Sequence, residues 1–98
     1  MEKFLYYTRL FDCYKKLLNA NECATFSAYY EDNLSMQEIA DNKGVSKSAI
    51  GASLKNTEMK LTAYEQALHL DARFEKIRKL ILKVKDEKIR ESLEQILK

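Results

Sequence analysis

Residues 35–54 read Ser-Met-Gln-Glu-Ile-Ala-Asp-Asn-Lys-Gly-Val-Ser-Lys-Ser-Ala-Ile-Gly-Ala-Ser-Leu, and their spacing is that of a helix-turn-helix. Two short helices that cross steeply through a tight turn need a small side chain at the crossing, and Ala40 supplies it. Further on, the chain must turn through positive φ. Glycine does so without steric cost, and Gly44 stands there. Val45 is then the expected plug of the hydrophobic corner, Ser46 the N-cap of the second helix, and Ile50 the residue that returns to the same core. Ser35 and Glu38 have the offset of a capping box that opens the first helix of the motif.

Upstream, Phe4, Tyr7, Phe11, Tyr14 and Leu18 recur at three- and four-residue intervals, which predicts a leading helix over residues 2–18. Asn19 and Glu22 form a second capping box, opening a helix to about Tyr30. Leu34 precedes Ser35 as a hydrophobic staple would.

Downstream, no breaker appears after Ser46, and Ile50, Leu54, Thr57, Leu61, Tyr64 and Leu68 make a heptad-like seam. A recognition helix this long must bury its far half against something. The seam is more than a short chain easily covers, so a homodimer is expected. Asp71 is a candidate cap for a helix bearing Phe74, Ile77, Ile81 and Val84, and Asp86 for a last helix bearing Ile89, Leu93 and Ile96. Residues 1–70 thus read as a helix-turn-helix domain with a leading helix. Residues 71–98 read as a helical extension packed on the same core or on a partner.

Composition agrees with an all-α fold. The chain has 98 residues, no proline, and glycine only at Gly44 and Gly51. No apolar run reaches membrane-spanning length and no signal-peptide pattern is visible, so the expected compartment is the cytoplasm, without membrane insertion. Cys13 and Cys23 lack metal-ligand or disulfide-framework spacing, and read as reduced, partly buried side chains. His69, the sole histidine, reads as a solvated residue at a helix C-terminus. No nucleophile–base pair, metal site or phosphate-cradling loop can be assembled, so neither an enzyme nor a cofactor is expected.

A net charge of +2 is modest for a protein that grips DNA through many phosphates. Residues 19–46 hold Lys43 alone against Glu22, Glu31, Asp32, Glu38 and Asp41. The tail from residue 71 carries nine cations against six anions, including Lys76, Arg78, Lys79, Lys83 and Lys85. It reads as a solvated face or, more sharply, as a basic arm or docking surface.

The run from Tyr29-Tyr30-Glu31-Asp32-Asn33-Leu34 through Ser35-Met36-Gln37-Glu38-Ile39-Ala40 to Gly44-Val45-Ser46 resembles the YlxM family of small bacterial proteins. Lys60-Leu61-Thr62-Ala63-Tyr64-Glu65 and Leu10-Phe11-Asp12-Cys13-Tyr14 extend the resemblance over about the first seventy residues. It implies a helical bundle like the C-terminal DNA-binding domain of sigma factors. It also implies a regulatory or accessory role linked to the signal recognition particle, with DNA or that particle's RNA or protein as partner. The nucleic-acid contacts expected are Lys47, Ser48, Lys55, Lys60 and Lys43. Gly51 and Ala52 interrupt this face where family members place long polar groups, so contacts to phosphates are expected in preference to base reading. The alternative reading is an accessory protein that works through protein–protein contacts, with the helix-turn-helix as scaffold.

Overall fold

The computed structural model describes residues 2–97, whose regular elements are all helical. Helix α1 spans Glu2–Tyr14 and runs into a 3-10 turn, Lys15–Leu17; α2 spans Ala20–Tyr30 and α3 Met36–Lys43. Helix α4 spans Lys47–Leu68, α5 Leu70–Ile81 and α6 Glu87–Leu97. The all-α bundle with a helix-turn-helix is therefore as expected. The leading helix stops short of its predicted end because Leu18 is extended (φ −95°, ψ 153°), which frees Asn19 to cap α2.

Local chemistry marks most helix starts. The Glu22 amide donates to Asn19 Oδ1 at 2.8 Å while the Asn19 amide donates to Glu22 Oε1 at 3.0 Å. Ser35 and Glu38 repeat this reciprocal pair at 3.1 and 3.0 Å. Each box satisfies two amides that the helix cannot, and losing such a cap costs about 1 kcal/mol. Asp86 Oδ1 opens α6 by accepting from the amides of Lys88 and Ile89.

Gly44 ends α3 at φ +69°, with its amide donating to the Asp41 carbonyl and the Val45 amide donating to the Ala40 carbonyl at 3.0 Å. This pair of bonds carries the chain away from the α3 axis, and Val45 leaves with it. Its side chain is 47% exposed, so the expected plug is corrected: the corner is filled by Ile39, Ala40, Ile50 and Leu54, all buried.

Helix α4 is the central strut. Its seam residues Ile50, Leu54, Thr57 and Leu61 are buried under α1, α2 and α3. The Phe26 ring stacks on Phe11 at 4.9 Å and on Tyr30 at 4.2 Å. Tyr14 lies against Tyr64 at 5.8 Å, and only Leu68, at the seam's end, is exposed. The seam that motivated a homodimer is thus largely covered from within the chain.

Asp71 does not cap α5. It lies inside the first turn, buried, and accepts from Arg9 Nε at 3.2 Å. The cap comes from distant residues. The Tyr14 hydroxyl accepts from the Leu70 amide at 3.0 Å and donates to Glu65 at 2.6 Å, while Glu65 accepts from the amides of Asp71 and Ala72. His69, exposed at φ +57°, makes the junction between α4 and α5. Helix α5 is therefore pinned to α1, whereas α6 packs on α5 and buries none of its residues. The molecule is elongated, 53 × 25 × 25 Å.

Candidate nucleic-acid interface

The Ser46 hydroxyl accepts from the Ala49 amide at 3.1 Å and starts α4 cleanly. With Ile50, Thr57 and Leu61 turned into the core, the helical repeat of about 100° per residue puts Ser48, Ala52 and Lys55 in one outward row. Lys47 and Gly51 flank that row. Lys47, Ser48, Ala52 and Lys55 are all exposed and Gly51 is half-buried. The first turn also offers the Lys47 and Ser48 amides, the kind of unpaired donors that favour an anion at a helix N-terminus.

Two further predicted contacts are placed differently. Lys43, in the last turn of α3, donates through Nζ to Asn21 Oδ1 at 2.7 Å, which leans it toward the start of α2 while leaving it exposed. Lys60 stands further from the outward row. It lies about 120° round the helix from Ser48, and its Nζ is held by Glu22 at 2.5 Å, tying α4 to the start of α2. The Lys60 ammonium, followed by the Asn19 amide, holds the buried Glu22 carboxyl below its usual range. Glu22 in turn raises Lys60. That lysine is paired within the fold, and one of the five acids ahead of the recognition helix is paired with it. The others, Glu31, Asp32, Glu38 and Asp41, stay exposed.

Beside the outward row runs a groove of about 550 Å³ lined by Phe4, Tyr29, Met36, Gly51, Lys55 and Glu58. Glu58 accepts from the Tyr30 hydroxyl at 2.6 Å and faces Lys3 at 3.9 Å. Burial first, and then this bond, push the Tyr30 hydroxyl far above its ordinary value. No sequence signal links Tyr30 to Glu58, because the contact joins two helices and neither residue belongs to a local motif. A Cβ added at Gly51 would meet Met36 Sδ at 3.8 Å, an ordinary contact, so close packing does not demand the glycine.

The buried Ala40, the left-handed Gly44 and the buried Ile50 give the turn its shape, and residues 1–98 match as a whole the family described as "Putative helix-turn-helix protein, YlxM / p13 like". The chain belongs to the UPF0122 family. UPF0122 proteins of Bacillus cereus strain AH187 and Bacillus anthracis strain A0248 are each 34% identical to it over 102 residues, covering 99% of this chain and 93% of the relative. The UPF0122 protein of Bacillus thuringiensis subsp. konkukian strain 97-27 is similar to the same extent. In this UPF0122 chain Cys13 and Cys23 are free thiols, both half-buried. Among the described residues no cluster of three His, Cys, Asp or Glu side chains could hold a metal ion, and no helix is long and apolar enough to cross a membrane.

Proposed function

We propose that this UPF0122 protein is a cytoplasmic nucleic-acid-binding accessory protein, not an enzyme, that serves the signal recognition particle pathway. It grips a phosphate backbone with the N-terminal face of α4. The observation that carries this reading is the exposed set Lys47, Ser48 and Lys55 on a helix whose opposite side is locked into the core. Lys43 adds a fourth contact from the end of α3. Gly51 and Ala52 offer no group that bonds a base edge, so binding is to backbone and not to sequence. Three lysines against phosphates give a slope of log K on log salt of about −2 to −3.

The test is a salt titration of binding to duplex DNA and to the signal recognition particle's RNA. Binding at low salt, lost in the double variant Lys47→Glu, Lys55→Glu, is the expected result. No binding to either ligand at low salt would overturn it. The second reading, action through protein contacts, is favoured by the apolar surface that the last two helices leave open.

A further inference from the structure

Helices α5 and α6 carry exposed apolar side chains that the core does not use: Ile77 is 39% exposed, Leu80 62%, Ile89 55% and Ile96 78%. They are not scattered. The residues of α5 that line the clefts toward α6 and α1 are Asp71, Phe74, Arg78 and Ile81, and Leu97 meets them from α6. Counting about 100° per residue from that contact line, Ile77 falls about 80° and Leu80 about 140° to the same side of α5. In a helix running back along α5, Ile89 and Ile96 fall on the same flank of α6. The two helices therefore carry these apolar side chains on one side, turned away from α1.

Charge is sorted about this face. The same phase places Arg73 between Ile77 and Leu80, and Lys76 and Lys88 on the outward side, all exposed and without an ion pair among the described residues. The carboxylates of these helices lie elsewhere: Asp71 holds Arg9, Glu75 and Glu87 face Arg78 and Arg90, Glu94 lines the cleft beside Arg78, and Glu91 and Glu94 fall about 150° round α6 from Ile89 and Ile96. An apolar face whose neighbouring charges are cations fits an amphipathic helix with an apolar ridge and acidic flanks. A second copy laid on the face would bring like charges together, and the face lacks the tryptophan and tyrosine that anchor a membrane-surface helix.

We propose that the α5–α6 face is a docking surface for an acidic amphipathic helix of a partner protein, completing a three-helix bundle. This is independent of the α4 reading and uses none of its residues. The probe is a fluorescein-labelled helical peptide of about five turns, with leucine on one ridge and glutamate on both flanks, beside its lysine-flanked counterpart. Full-length protein is expected to bind the acidic peptide, to bind the basic one at least tenfold more weakly, and to lose affinity as salt rises. Leu80→Glu and Ile89→Glu, both at exposed positions, are each expected to cut binding at least tenfold with an unchanged circular-dichroism spectrum. The triple reversal Arg73→Glu, Lys76→Glu, Lys88→Glu is expected to invert the peptide preference. Equal binding of the two peptides, or none, overturns the proposal. So does light scattering that shows a dimer dissociated by Ile89→Glu, or binding to vesicles of phosphatidylcholine and phosphatidylglycerol that the acidic peptide does not displace.

Discussion

Gly44 and Gly51 are the chain's only glycines, and they differ in kind. Gly44 sits at φ +69°, so a Cβ there is strained even though nothing lies within 4 Å of it. Gly44→Ala is expected to cost about 1–2 kcal/mol. Gly51 lies within α4 with ordinary room for a methyl group, and Gly51→Ala is expected to stabilise by up to about 1 kcal/mol. Urea unfolding of both variants measures the contrast, and a stabilised Gly44→Ala would contradict the turn. Tyr14 and Glu65 make the α4–α5 junction pH-sensitive at both extremes. Burial, then the bond to Glu65, push the Tyr14 hydroxyl up to about 12. Its folded value exceeds its unfolded one, so its contribution is complete below about pH 10 and is lost toward 12. Burial pushes Glu65 up, but the Tyr14 hydroxyl and the amides of Asp71 and Ala72 outweigh it and hold the carboxyl below 4.5. That contribution is present above 4.5 and disappears as pH falls through the lowered value. Tyr14→Phe should therefore flatten both limbs of a plot of melting temperature against pH.

The helices differ in what holds them. Helices α2 and α3 are closed by side chains three residues apart, so their starts could be read from residue order alone. Helix α5 is closed by Tyr14 and Glu65, one of them 56 residues from the amide it serves. Nothing in the neighbourhood of Leu70 announces that partnership, which is why Asp71 looked like the cap. Lys60 shows the same limit: its position on α4 is legible, but its pairing with Glu22 depends on where α2 lies. Val45 failed for a subtler reason, since apolar character does not say which way a chain leaving a left-handed glycine will point its next side chain. In α4, Leu61 is fully buried between the helices, and Leu61→Ala is expected to cost about 2–5 kcal/mol by calorimetry.

Taken whole, the molecule grades from a dense end to a thin one. The aromatic stack of Phe11, Phe26 and Tyr30 and the seam of α4 form one continuous core, while α6 buries nothing. Hydrogen exchange should follow that gradient, with α6 amides exchanging fastest among the helices and the middle of α4 slowest. Comparable protection in α6 at micromolar protein would mean that a second copy covers it. Helix content, the Gly44 bend, both capping boxes and the family were all written in residue order, because each depends on neighbours a few positions apart and on glycine's freedom to adopt positive φ. Which lysine is free, what closes α5 and which apolar flank stays bare were decided only when the helices came together. Those properties belong to pairs of residues far apart in the chain, and their energies do not exist until packing sets the distance between them.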